Sequence, residues 1–286
     1  MRKRHVAEKP RLAAGYRPEE TTRVRAACLT LATTLGDLLD EIVVVGGLAP
    51  VLWGEARKLQ PDALAPVGTV DVDVGIAVSL LEQERYREIA ERLLRSGFVP
   101  DTNEEGNPTP QRWIFGTAGP TVDFLIEPTS ATEVPGRIKH LDEAHKFGAL
   151  LAVGIDLALL LHTEIRLEQA TLEGELASRV IRVCDAGPFV VLKALAFRGR
   201  GERKDAYDIF YTLRNYGSGP EEVADQLRPH RGRSEVVNAL GFLREDFATT
   251  RHLGPMRVAA FLGEEPGDDI RADAVGFVQR FLSRLA

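Results

Sequence analysis

The sequence predicts an α+β chain, with a mixed sheet and flanking helices over residues 1–185 and a helical domain over 186–286. Two observations carry this. Short β-branched or alternating runs, such as Ile42-Val43-Val44-Val45 and Thr69-Val70-Asp71-Val72-Asp73-Val74, are interspersed with helical periodicity in the first part. From Gly187 onward the apolar residues recur every three or four positions, segment after segment. The length of 286 residues allows one large domain or two small ones, each able to bury a core.

Residues 1–18 are polar, with Pro10 and Pro18, and read as a basic arm. Between Glu19 and Glu41, Val24, Ala27, Cys28, Leu31, Leu35, Leu38 and Leu39 keep helical spacing. The strand at 42–45 ends on Gly46-Gly47, and Leu48 to Leu59 reads as a helix with Pro50 in its first turn. Pro61 to Gly68 is loop, and 69–74 is a strand with a carboxylate face and a valine face. Leu80 to Ser96 is an amphipathic helix closed by Gly97, and Asn103 to Pro110 is a turn-rich loop.

Gln111 to Gly116 and Thr121 to Ile126 form a hairpin. Leu157 to Leu161, Thr163 to Leu172 and Ala177 to Val183 read as strands, with a turn at Glu173-Gly174. Pro188 opens a helix that leads into an Arg198–Arg203 loop. Lys204 to Tyr216, Glu221 to Leu227, Ser234 to Phe247 and Asp269 to Leu285 follow as amphipathic helices.

Composition removes several classes. With 44% hydrophobic and 27% charged residues the chain is neither disordered nor fibrous. No uncharged stretch reaches the roughly 18 apolar residues of a membrane span. Glu8, Lys9, Arg11 and Arg17 interrupt any signal-peptide core, so a cytoplasmic location and no membrane partner are expected. The net charge of −6 excludes a globally basic nucleic-acid binder but leaves local patches. Residues 1–25 hold eight Lys and Arg against three Glu, and further clusters are Arg198, Arg200, Arg203, Lys204 and Arg228, His230, Arg231, Arg233. Cys28 and Cys184 have no metal or disulfide spacing and are expected to be buried thiols. His140, His145 and His162 lack ligand spacing, while Trp53 and Trp113 read as core or pocket-wall rings.

The residues that carry chemistry lie in the first part. Gly46-Gly47 at a strand-to-helix junction lets backbone approach a ligand closely. Asp71 and Asp73 are two apart on a strand, so both carboxylates share one face. Two adjacent carboxylates repel, and a hard divalent cation such as Mg²⁺ relieves this. Asp123 points opposite to Val122 and Phe124, and a neighbouring strand position would bring it beside the pair. Three carboxylates on one sheet face suit a two-metal phosphoryl-transfer site.

The order Val45-Gly46-Gly47, Thr69-x-Asp71-x-Asp73, Val122-Asp123-Phe124 resembles the DNA-polymerase-β-like nucleotidyltransferase superfamily. Leu192-Lys193-Ala194-Leu195-Ala196, followed by Arg203-Lys204-Asp205-Ala206-Tyr207-Asp208-Ile209, is similar to the AbiEii/MenT nucleotidyltransferase toxins. The resemblance covers roughly Ile42 to Leu213. It implies the nucleotidyltransferase fold, with Lys193 and Asp205 contributed by the helical domain. It implies Gly46 and Gly47 at the triphosphate of an NTP, and Thr69 as the hydroxyl residue of the motif. Asp71, Asp73 and Asp123 would then be metal ligands, Lys193 the lysine that neutralises phosphate, and Asp205 the essential acid, with Asp208 its rival. Relatives carry Arg two residues before the hydroxyl residue; here Val67 stands there, and Arg57, Lys58 and Arg112 are the candidates to replace it.

The resemblance further implies NMP transfer to the 3′ acceptor end of tRNA, which blocks translation, and a cognate antitoxin as partner. The alternatives from the same sequence are a nucleotidyltransferase acting on a small molecule of the aminoglycoside or lincosamide type, and a non-catalytic nucleotide-binding module. Lys204-Asp205-x-x-Asp208-Ile209 disfavours the former, and retention of all three acids disfavours the latter.

Overall fold

A computed structural model describes residues 9–77, 83–264 and 266–286. The first eight residues of the expected arm, and the expected start of a helix at Leu80, lie outside the described residues. The chain divides into two compact units. One takes in Lys9, Arg17–Ala49 and Gly68–Cys184; the other takes in Pro10–Tyr16, Pro50–Val67 and Asp185–Ala286.

The first unit carries the sheet. Helix α1 (Pro18–Leu35) starts on Pro18 and stops at Gly36, where φ is +56°. Its buried face is Val24, Ala27, Cys28, Leu31 and Leu35, the helical spacing of the sequence. A 3₁₀ segment (Gly36–Glu41) leads to strand β1 (Ile42–Val45), all four residues of which are buried. One 3₁₀ turn (Gly46–Leu48) then opens helix α2 (Ala49–Glu55), which from Pro50 on belongs to the second unit. Strand β2 (Asp71–Ile76), helix α3 (Gln83–Arg95), strands β3 (Phe98–Thr102), β4 (Pro108–Phe115) and β5 (Thr121–Ile126) follow. Strands β6 (Ile138–Asp142) and β7 (Phe147–Leu151), helix α4 (Ile155–Leu160), and strands β8 (His162–Ala170) and β9 (Leu176–Cys184) complete it.

The sheet is mixed and runs β3-β4-β5-β2-β1-β9-β8, with β7 pairing β5 and β6. Central β2 is antiparallel to β1 and parallel to β5. Val72, Val74 and Ile76 fill one face of β2 and are fully buried. Asp71, Asp73 and Gly75 occupy the other face. At Gly75 that face is covered by α4: a Cβ there would meet the Ile155 side chain at 2.9 Å. The carboxylates stand at the opposite end of the strand.

Four readings of the sequence are corrected. Leu157 to Leu161 is not a strand but most of α4, entered through Gly154 at φ +100°. A short unbroken apolar run has no period to separate helix from strand. Strand β3 was not expected; it holds Pro100, which an outermost strand tolerates. Strands β6 and β7 contain a single β-branched residue, Ile138, and gave no strand signal. The loop at 103–110 is shorter than expected, because β4 begins at Pro108.

The second unit is helical among its described residues: α5 (Ala186–Arg200), α6 (Arg203–Asn215), α7 (Pro220–Leu227), α8 (Ser234–Asp246), α9 (Leu253–Leu262) and α10 (Asp268–Leu285). Helix α5 runs on to Arg200, so Arg198 is helical rather than in a loop. Helix α9 was missed because Gly254 and Pro255 sit in its first turn. Trp53, from the segment 50–67, lies edge-on to Phe189 and Tyr216, each ring 5.1 Å away. The Tyr211 hydroxyl donates to the Leu64 carbonyl at 2.6 Å, and the Gln60 amide to that of Asn215 at 2.8 Å. These contacts make the segment part of this unit's core.

Candidate metal centre

Parallel pairing of β2 with β5 sets Asp71 against Thr121, Val72 against Val122 and Asp73 against Asp123. Because the register is in step, Val122 and Phe124 join the valine face and Asp123 joins the carboxylate face. The three carboxylates each offer an oxygen within 4.8 Å of the others. Asp71 is buried, and Asp73 and Asp123 are half-buried. The alternation that singled out Asp71 and Asp73 was visible in sequence; the partner strand of Asp123 was not.

Gly46 completes this cluster. Its φ is +67°, and a Cβ built on it would lie 1.9 Å from Oδ2 of Asp73. The carboxylate of Asp73 therefore rests in space that any side chain at position 46 would fill. Thr69 is buried, and its hydroxyl donates to Oδ1 of Asp71 at 3.1 Å and stands 3.2 Å from the Asp71 carbonyl. Gly47 is buried within the same 3₁₀ turn.

Among the described residues, two cations face the acids. Arg112 stands opposite Asp123 in the antiparallel β4–β5 register. Its Nε donates to Oδ1 at 2.6 Å and its Nη2 to Oδ2 at 2.5 Å, a bidentate pair. The same Nη2 is 4.0 Å from Oδ2 of Asp71. Lys9 brings Nζ to 2.5 Å from that Asp71 oxygen. Burial pushes the Asp71 carboxyl up, but Lys9, Arg112 and the Thr69 hydrogen bond outweigh it and hold it below the usual carboxylate range. The hydrogen bonds to Asp123 raise the Arg112 guanidinium further above its ordinary value.

Lys9 was not expected here, since an arm residue without periodicity gives no positional signal. From the sequence Arg112 is a candidate for the missing phosphate contact. The structure shows its guanidinium engaged with Asp123.

The donor set fits a hard divalent cation. It consists of three carboxylates converging within one coordination sphere's reach, one of them admitted by a glycine, and a cation, the Lys9 ammonium, already stands against it.

In the second unit Lys193, Asp205 and Asp208 come together. Lys193 Nζ is 3.2 Å from Oδ1 of Asp205 and 2.7 Å from Oδ2 of Asp208. Arg200 adds two hydrogen bonds to Asp205, at 2.7 and 2.8 Å, and Lys204 reaches Asp208 at 2.9 Å. Burial raises the Asp205 carboxyl, but Lys193 and Arg200 overcome it and bring it to about 2. Burial lowers the Lys204 ammonium, and Asp208 only partly restores it. Burial lowers Lys193 as well, yet its two carboxylates raise it above the ordinary lysine value.

Cys28 and Cys184 are buried, as expected, and so are Trp53 and Trp113. Among the described residues no helix is long and apolar enough to cross a membrane. No protein-family model and no curated protein matches the chain.

Proposed function

We propose that this protein is a divalent-metal-dependent nucleotidyltransferase that moves NMP from an NTP to an acceptor hydroxyl and releases pyrophosphate. The observation that carries the reading is the in-step pairing of Asp73 with Asp123, with Asp71 on the same sheet face. Asp71 and Asp73 would hold Mg²⁺, with Asp123 as the third acid. When bound, the cation would supply neutralisation of triphosphate charge and make the attacking hydroxyl more acidic. Gly46 gives Asp73 its place, and Thr69 fixes the rotamer of Asp71 through its hydroxyl. By the resemblance, Gly46 and Gly47 serve the triphosphate, Lys193 is assigned to phosphate and Asp205 orients that lysine. The Lys193–Asp205 contact at 3.2 Å supports this last pairing.

The acceptor we propose is the 3′ end of tRNA, and the biological role that of a toxin with a cognate antitoxin. This step rests on the sequence resemblance. One observation favours a second reading, a small-molecule acceptor: much of the local positive charge is already paired. Arg198 meets Glu245 and Asp246, Arg200 meets Asp205, Arg228 meets Asp225, and Arg233 pairs with Glu235. Less of it is open to an RNA backbone than the composition suggests.

The test incubates the protein with Mg²⁺, total tRNA and each α-labelled NTP in turn, beside Asp71→Ala. Label entering tRNA, and lost in Asp71→Ala, is the expected result. Label entering an aminoglycoside or lincosamide instead would select the second acceptor. Transfer to neither, with Mg²⁺ and NTP still bound, would overturn catalysis and leave a nucleotide-binding module.

A further inference from the structure

We propose that Lys9 is an exchangeable internal cation of the carboxylate cluster, which a divalent metal ion displaces on binding. The inference rests on the metal-site reading above and adds to it how the site loads.

The two cations at the cluster are held differently. Arg112 lies within β4, is fixed opposite Asp123 by the strand register, and makes two parallel hydrogen bonds to it. It cannot leave without breaking a bidentate pair inside the sheet. Lys9 belongs to no helix or strand, and its side chain is 52% exposed although its partner Asp71 is 4% exposed. Its contact is one ammonium on a flexible four-carbon stem, a point charge that can withdraw into water. Of the two, Lys9 is the one that can move.

Charge favours the exchange. A divalent ion brings two positive charges to the carboxylates where the Lys9 ammonium brings one, and a divalent ion beside Lys9 would crowd like charges in a partly buried setting. Position supports the exchange as well, because Nζ of Lys9 sits 2.5 Å from Oδ2 of Asp71, an oxygen a metal would need. The two cations contend for one carboxylate.

The consequence is a cost on metal affinity. If the form with Lys9 withdrawn is about a tenth of molecules or less, removing the ammonium tightens metal binding about tenfold or more. The experiment is calorimetric titration of Mn²⁺ into the full chain, with free Mn²⁺ followed in parallel by its paramagnetic resonance signal. Wild type, Lys9→Met, Lys9→Gln, Lys9→Arg and Asp71→Asn are compared, each checked for folding by thermal melting. The expected result is Mn²⁺ binding about tenfold tighter in Lys9→Met and Lys9→Gln, unchanged in Lys9→Arg and lost in Asp71→Asn. Equal or weaker binding in the two neutral variants would overturn the exchange and leave the metal site standing, with Lys9 then a residue that stays. No Mn²⁺ in any variant would overturn the metal-site reading itself, and this inference with it.

Discussion

Gly46 and Asp73 occupy each other's space: Oδ2 of Asp73 lies 1.9 Å from where a side chain at position 46 would begin. The relationship joins the end of β1 to the middle of β2 and explains a glycine at that turn by packing as well as by its φ of +67°. Gly46→Ala is expected to force Asp73 out of the cluster. The left-handed backbone alone costs a non-glycine residue about 1–2 kcal/mol, and the clash adds to it. Urea unfolding should therefore show a loss of at least that size, together with Mn²⁺ affinity reduced to the level of Asp71→Asn. Retained affinity would mean that Asp73 is not a ligand.

Arg112 is the second control point of the same cluster. Arg112→Gln removes two charge-assisted hydrogen bonds from half-buried Asp123, and a bond of that kind is worth about 1.5–3 kcal/mol. The three carboxylates then keep Lys9 but lose the guanidinium. Stability should fall at neutral pH and recover on adding Mg²⁺. Arg112 also helps to hold the Asp71 carboxyl below its ordinary 3.8. A depressed carboxylate contributes stability above its unfolded value and loses it as pH drops through the folded one. The gap between wild type and Arg112→Gln should accordingly narrow below about pH 4. Thermal melts across pH, with and without Mg²⁺, measure both effects.

The cluster was legible in sequence only as far as local geometry reaches. Alternation along β2 put Asp71 and Asp73 on one face, and Val122 and Phe124 announced that Asp123 faces the other way from the core. Strand order and register are long-range outcomes, so the pairing of Asp73 with Asp123 had to be seen. The same holds for Arg112, whose partner is set by the turn between β4 and β5. Lys9 gave no signal at all, because an arm residue is placed by what it meets. On the fold side, the hairpin of β8 and β9 matched its expected turn, with Gly174 at φ +89°. The apolar run at Leu157–Leu161 failed for lack of a period.

Asp208 is the carboxylate that the second unit can least do without. Itself buried, it is in contact with two half-buried lysines, Lys193 at 2.7 Å and Lys204 at 2.9 Å. Among the described residues, Asp208→Asn leaves Lys204 with no carboxylate in contact while Lys193 keeps Asp205. Breaking a buried pair from one side typically costs about 3–5 kcal/mol, and a loss in that range is expected in chemical denaturation. Burial already lowers Lys204 below the ordinary lysine value of 10.5. A lysine depressed in the folded state favours folding more as pH rises through its folded value. Asp208→Asn should thus regain part of its stability on raising pH toward 10.5, and Lys204→Met in the same background should restore it at neutral pH. A pH-independent deficit in Asp208→Asn would assign the loss to packing.

Asp205 differs from its neighbour in where its partners lie and therefore in its acid response. Arg200 grips it with two hydrogen bonds and Lys193 adds a third, bringing its carboxyl from 3.8 to about 2. The folded value lies below the unfolded one, so the stabilisation is complete above about pH 4 and is lost as pH falls toward 2. Asp205→Asn should be less stable than wild type at neutral pH, and the two should converge across that window. Arg200→Gln should move the wild-type acid transition upward while leaving the Lys193–Asp208 contact in place. In the transfer assay the two substitutions separate structure from chemistry. If Asp205 acts only by holding Lys193, Arg200→Gln keeps activity within a fewfold of wild type, because Lys193 retains both carboxylates. Should Asp205→Asn abolish transfer while its fold at neutral pH is intact by melting, the acid is required for the reaction and not merely for the architecture of the helical unit.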